Sequence, residues 1–419
     1  MTLVPLRKNR DFVLLQVGQT LSTIGSEATA LAYPLLVLAV TGSPAQAGVV
    51  GFARIVPWAL FGVVAGGVAD RVNRKHVMIV ADVVRIVAVL SLVVTLALHR
   101  ASVVQIAIVA FVEGSMFIFF NIAELGALRS VVPGRQLPAA AAAEQARYST
   151  VTLVAPPLGG ALFGLGRALP FVADVVSYLF SLGSLLLMRT PFQEAREQDD
   201  TPVGAQLAEG FRWLWGHRFF RACALLFSWV NLIWEALFLV MIVAARHQGL
   251  SGAQIGLLIA GFGLCSLLGS FAAPRITRLL SMRTLIIGSF WVQLGFAVFL
   301  LKPNVYVLLA GVVPMAFFLP AVNSAVIGYR TAVVPDRLTG RVGGVARTIA
   351  LCTASLGPLS AGLLLHSLSP RATVGVYAAF MLLLALLGTW NPSIRKAPSL
   401  RDLDDLPRRA EPASPAAAG

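Results

Sequence analysis

The chain has 419 residues, 57% of them hydrophobic and only 12% charged, against about 25% charged and about 45–50% apolar in soluble domains. A soluble core of this length cannot hide that much apolar surface, so the implied solvent is a bilayer, and long continuous apolar runs exclude an alternating barrel. The net charge of +14 is scattered between those runs instead of gathered in a patch, which excludes nucleic acid as a partner.

Twelve membrane spans are predicted. The first, 12–40, follows Arg7, Lys8 and Arg10. Ala45-Gln46-Ala47 imitates a cleavage site, but a run this long, with Gln16, Gln19 and Glu27 inside it, reads as a helix kept in the mature chain. Spans 47–69 and 77–98 flank the turn GGVADRVNRK at 66–75, and spans 103–126, 140–163 and 170–188 complete a first set of six. The longest internal polar stretch comes next. RTPFQEAREQDDTPVG is a linker by composition. AQLAEGFRWLWGHRFFRA then sets Leu207, Phe211, Leu214 and Trp215 at helical spacing beside Arg212, Arg218 and Arg221, as in a helix lying along the membrane surface. Spans 222–244, 252–273, 284–301, 305–327, 344–365 and 372–390 form the second set, and the Arg-, Pro- and Ala-rich tail is expected to be disordered. The expected units are therefore a six-helix bundle over 1–190, a linker with its surface helix over 191–221, a second bundle over 222–391 and a tail over 392–419.

The connectors alternate in character. Arg71, Arg74 and Lys75 share one side with Arg275, Arg278 and Arg283, and with both ends of the chain. TGSPAQ, HRAS, GRAL, RHQGLSG, KPN and SLSPRA on the other side hold at most one Lys or Arg each. Basic loops stay cytoplasmic, so both termini are expected in the cytoplasm, with the chain in the inner membrane. The three cysteines sit singly in apolar runs and read as small packing residues. No Gly-rich phosphate loop, histidine cluster or nucleophile beside a base is present, so no enzyme, cofactor or metal is expected.

The two sets of six are related. RSVVPGRQL (129–137) is answered by RTAVVPDRL (330–338), and APPLGGAL (155–162) by LGPLSAGL (356–363), both at an offset near 200 residues. Two matches in order at one offset point to duplicated halves and an all-α protein of two pseudo-symmetric six-helix bundles.

The turn at 66–75 reads Gly66-x-x-x-Asp70-Arg71-x-Asn73-Arg74-Lys75. It resembles the signature loop of the major facilitator superfamily, with Asn73 where the family has Gly. Gly66 is expected to let helices approach closely, Asn73 to tolerate a left-handed turn, and the bases to hold the loop in the cytoplasm. RDFVLLQVGQTLSTIGSEATALAYPLLVLAVTGSP, ADVVRIVAV and FVADVVSYLFSLGSLLL extend the resemblance over nearly the whole chain, to the drug- and siderophore-exporting facilitators. Pro156, Pro157, Gly159 and Gly160 in span five are similar to the antiporter motif of the superfamily, with Ala155 for its first Gly. A bent, close-packing helix at the interface of the halves is expected there.

Embedded charges locate the chemistry. An ionised side chain at the bilayer centre costs about 2.5–3.5 kcal/mol even on a lenient scale, a cost that a carboxyl removes by taking a proton. Glu27, Glu113 and Glu235 lie deep in spans one, four and seven. The resemblance implies that these helices, with span ten, line a central cavity, so the three are the candidate proton carriers. Ala110 stands where the family's fourth helix carries an Arg. Trp234, Phe238, Asn231 and Phe117 are candidate substrate contacts. Asp82 and Arg85 are three apart and share a helix face; with Asp70 they are expected to form a charge cluster that holds the inner halves together in the outward-open state, with Arg341 and Arg347 as partners across the halves. Asp174 reads as structural, and Glu124 as a charge near the mouth.

The resemblance implies proton-driven efflux of a bulky amphipathic compound such as a drug, macrolide or siderophore, by a monomer whose partners are protons, the small-molecule substrate and the lipid bilayer. Two alternatives remain open: proton-coupled uptake of a nutrient or siderophore, and a non-transporting receptor or scaffold.

Overall fold

The computed structural model of the chain describes residues 5–190, 192 and 203–397, apart from the side chains of residues 70, 129, 203, 206 and 336. Among them, twelve spans are long and apolar enough to cross a membrane, and no strand occurs. The first six are α1 (Arg10–Thr41), the broken pair α2 (Pro44–Ile55) and α3 (Pro57–Arg71), α4 (Arg74–Ala97), α5 (Val103–Val131), α6 (Leu137–Leu165) and α7 (Leu169–Leu187). After α8 (Val203–Gly216) come α9 (Arg218–His247), α10 (Gly252–Leu279), α11 (Met282–Gln293) with a 3-10 continuation at Leu294–Leu300, α12 (Val305–Val333), α13 (Asp336–Ser367), α14 (Pro370–Trp390) and the short α15 (Pro392–Arg395).

Polar connectors start these helices by satisfying backbone N–H groups that lipid cannot. Asn9, Ser43, Ser102, Ser281 and Ser369 each accept from an N–H in the first turn of the helix that follows, and Ser251 with Gln254 forms a full capping box at α10. Pro57 breaks the second span, because it lacks an N–H and its ring crowds the preceding turn.

The repeated segments occupy equivalent places. RSVVPGRQL joins α5 to α6, and RTAVVPDRL joins α12 to α13. APPLGGAL lies in α6 and LGPLSAGL in α13, the helices that each bundle lays against the other. A Cβ on Gly160 of α6 would collide with the carbonyl of Gly252, and one on Gly256 of α10 with that of Pro156. On the opposite side of the molecule, Gly48 and Gly51 of α2 meet Pro358 and Gly362 of α13 in the same way. All these contacts lie in the half of the molecule remote from the termini. Toward the basic end they are absent: nothing lies within 4 Å of a Cβ built on Gly62 or Gly66 of α3, or on Gly340 or Gly344 of α13.

Several expectations are corrected. Gly66 makes no close approach in this conformation. Asn73 is not left-handed: its φ is −55°, and its side chain caps α4 by accepting from Lys75 N at 2.9 Å. Helix α9 begins at Arg218, four residues before the span expected from 222, so Arg218 and Arg221 lie in its first turn. Residues 392–397 are ordered by the Asn391 cap, Pro392 at the first helical position and buried Ile394; 398–419 lie outside the described residues, as does the linker at 193–202. The surface helix α8 packs on protein with one face. Leu214 is buried with Val334, Leu338 and Val342 of the α12–α13 turn, Glu209 meets Arg337 at 3.2 Å and pairs with Arg341, and Phe211 stacks on Trp215 on the exposed side.

Candidate functional site

A cavity of about 720 Å³ lies between the bundles. One wall comes from α1, α2, α3, α5 and α6, the other from α9, α10, α12 and α13. All seven predicted proton and substrate residues line it: Glu27, Glu113 and Glu235, with Asn231, Trp234, Phe238 and Phe117. Aromatic rings make much of the wall. Trp58 meets Phe117 edge-on at 6.1 Å between centroids, and Trp234 lies 5.1 Å from Phe262 while donating from Nε1 to Gln293 at 3.0 Å.

The three acids differ in setting. Glu27 is exposed to the cavity and Glu235 is half-buried. Glu113 is 2% exposed and accepts a hydrogen bond of 2.6 Å from the Tyr33 hydroxyl. Arg54 is the one base among the residues that line the cavity, and the charges of Glu113 and Glu27 both act on it. Its Nη2 donates to the Ser26 carbonyl at 2.9 Å, and its Nε has no partner. Its place is set by Pro57, three residues on, which separates α2 from α3, and by Gly114, whose missing side chain lets α5 meet the Arg54 carbonyl. Three carboxyls against one guanidinium give the cavity a net negative character when the acids are ionised.

The remaining site residues lie elsewhere. Arg74 donates to the Ala69 and Gly126 carbonyls, and Lys75 to Met188, so both bind the amino-terminal bundle to itself. Arg71 is exposed, and the Asp70 side chain lies outside the described residues. Asp82 and Arg85 do pair, at 3.7 Å, but inside that bundle: Ser181 donates to Asp82 at 2.6 Å, and the guanidinium sits 4.8 Å from the Phe120 ring. Neither faces Arg341, which pairs with Glu209, or Arg347, which lies 4.9 Å over Trp58. Glu124 is buried against Arg147 at 2.9 Å, and Arg147 also meets Glu144 at 2.6 Å. Pro156, Gly159 and Gly160 bring α6 against α1 and α10 by backbone contact.

The model of the family described as transmembrane secretion effector matches residues 1–412. The chain belongs to the transmembrane secretion effector family. This chain is 26% identical to the multidrug efflux pump Tap of Mycobacterium tuberculosis over 411 residues, covering 94% of this chain and 95% of Tap. It is also 26% identical to the enterobactin exporter EntS of Salmonella typhimurium over 414 residues, covering 95% and 97%. A bacterial homologue of the iron transporter ferroportin, in its inward-facing state, superposes with a TM-score of 0.72 at 17% identity, covering 92% of this chain and 98% of that one. The fold is therefore the major facilitator fold, and this secretion effector is a multi-pass membrane transporter of a small molecule, not an enzyme.

Sequence reading missed what Arg54, Tyr33, Trp58 and Arg147 do in this transporter. Arg54 and Arg147 carried a signal, since each is a base inside an apolar run. Tyr33 carried none, because a tyrosine in such a run reads as packing.

Proposed function

We propose that this secretion effector is a proton-coupled exporter in the cytoplasmic membrane, expelling bulky amphipathic compounds by alternating access, with both termini and the 71–75 turn in the cytoplasm. The observation that carries this reading is the cavity between the bundles, with acids from α1, α5 and α9 on one aromatic-walled space. Its volume falls within the roughly 300–1,000 Å³ of drug-sized pockets. Basic connectors at one end support the orientation. The names of the relatives, a multidrug pump and a siderophore exporter, support the outward direction.

In this reading the conformation is the inward-open one, since the close helix contacts lie away from the basic end. Substrate enters between the bundles, its apolar body against Trp58, Phe117 and Trp234. A proton taken by an acid on the wall offsets the negative charge there and weakens the hold on substrate. One proton entering per neutral molecule expelled is worth about 2.3 kcal/mol per 100 mV, enough for a gradient of about fifty.

Inverted membrane vesicles energised with a proton gradient, with ethidium as probe, test this. Ethidium accumulation inside the vesicles that a protonophore collapses is expected. Accumulation indifferent to the protonophore, or seen only in right-side-out vesicles, removes the proposal.

A further inference from the structure

The seam between α1 and α7 is polar along its length. On α1, Gln19, Ser22, Ser26, Thr29 and Tyr33 recur at spacings of three and four and are all buried. On α7, Asp174, Ser177, Tyr178, Ser181 and Ser184 answer them, also buried. Gln19 donates to Ser181 at 3.2 Å, Ser26 and Tyr178 share a hydrogen bond of 2.9 Å, and Thr29 donates to Asp174 at 3.2 Å. Gly18 and Gly25 of α1 let the two backbones approach this closely, Gly18 against Ser184 and Gly25 against Ser177 and Asp174.

Hydroxyls and small residues join membrane helices well without a carboxyl. Asp174 is therefore the residue the seam does not need. It is fully buried, and among the described residues it forms no ion pair. The charges of Glu113 of α5 and Arg85 of α4 act on it, it acts in turn on Tyr33 of α1 and Tyr178 of its own helix, and Ser177 donates to it at 3.3 Å. Thr29, which holds Asp174, and Tyr33, which holds Glu113, are one turn apart on the same face of α1. Two acids so arranged repel when both are ionised. On the far side of Asp174, Tyr178 and Ser181 lead to Asp82 and Arg85.

We propose that Asp174 is a proton-relay carboxyl behind Glu113, reached through the α1–α7 seam and screened from the substrate. The step is a proton transfer: the O–H bond of the Glu113 carboxyl breaks, one forms on Asp174, and Glu113 is left ionised. Asp174 then gives the proton up on the side of Ser181 and Asp82, and both acids are ready for the next cycle. This rests on the proton-coupled reading above, and the test separates the two.

The full chain in proteoliposomes, with ethidium as probe, provides one arm. Through one exchanged proton, each pH unit of gradient sustains about a tenfold ethidium gradient. Asp174→Asn keeps the size and one acceptor oxygen, and Thr29 and Ser177 each have a backbone carbonyl to donate to instead, so ethidium exchange without a gradient should stay near the wild-type rate while gradient-driven accumulation disappears. Infrared difference spectra between acid and neutral pH provide the second arm and need no substrate. Asp174→Asn should delete one protonated-carboxyl band, and Glu113→Gln should move the midpoint of that band. Should Asp174→Asn fail to fold, Thr29→Val, which keeps the acid and removes one of its donors, should move the same midpoint. An unaltered pH-difference spectrum in Asp174→Asn, or a band indifferent to both Glu113→Gln and Thr29→Val, overturns the proposal. Wild-type accumulation indifferent to a protonophore would defeat the proton-coupled reading alone, and the infrared arm would still decide Asp174.

Discussion

Glu27 and Glu113 carry the same functional group in opposite surroundings. Glu27 is exposed to the cavity and forms no hydrogen bond or ion pair among the described residues, whereas Glu113 is 2% exposed and held by Tyr33. Glu27 is thus the acid free to meet a cationic group on a substrate. A hydrogen bond to a charged group is worth about 1.5–3 kcal/mol, so Glu27→Gln is expected to weaken ethidium binding by about tenfold to a hundredfold. Fluorescence titration of the purified protein measures this, and a loss under twofold would show that Glu27 does not hold cations. Tyr33→Phe takes the opposite course. It leaves a buried carboxyl without its donor, costing about 1–3 kcal/mol, which a lowered thermal midpoint in detergent would register while ethidium affinity changes little. The acids themselves were legible in the sequence because a charge in an apolar run stands out by its cost. Their partners were not: Tyr33 and Glu113 are separated by 80 residues, and only the packing of α1 on α5 joins them.

Helices α6 and α13 carry matching repeat segments and do equivalent work, each approaching the other bundle backbone to backbone, Gly160 at Gly252 and Gly362 at Gly48. The glycine and proline pattern announced that closeness. What the sequence could not announce was the conformation, so Gly66 was expected to be packed when it is the remote glycines that are. Substituting Gly160 by Leu puts a side chain where the Gly252 carbonyl stands. Transport is expected to fall severely while the protein still inserts and purifies, with the distance between labels on α6 and α10 increased. Gly62→Leu, with open space around it here, should leave that distance unchanged. The surface helix α8 is held chiefly by apolar contact. Glu209 faces bases of which Arg337 is 69% exposed, an interaction worth at most about 1 kcal/mol, whereas truncating buried Leu214 to Ala costs about 2–5 kcal/mol. Limited proteolysis near α8 should therefore accelerate strongly in Leu214→Ala and barely in Glu209→Ala; equal rates would show the ion pairs to be the main restraint.

Across the whole molecule, the closest backbone approaches between the two bundles are those of α2 with α13 and α6 with α10, in the half away from the basic end. The twelve spans, the duplication and the cavity helices could be read in advance because the bilayer imposes length and apolarity on every helix. The charge cluster expected between the inner halves belongs to the outward-open state; in the present conformation Asp82 and Arg85 face each other within one bundle, where Ser181 donates to Asp82 and Arg85 to the Met116 carbonyl. A gate at the basic end is expected to draw on further surfaces as well. The glycine faces of α3 and α13 at that end have the shape for it, since they repeat in the open half what Gly48 and Gly362 do in the closed one. Alternating access then makes a definite demand: the basic end can close only as the remote end opens. Spin labels on Gly66→Cys with Gly344→Cys should approach one another on adding ethidium and a proton gradient, while labels on Ser43→Cys with Ser367→Cys separate. To reverse a population from 1:99 to 99:1, the added ligands must favour the second state by about 5.5 kcal/mol, so a partial shift is the expected outcome for ethidium alone. Movement at one end without the opposite movement at the other would mean that the bundles flex independently and do not rock as units.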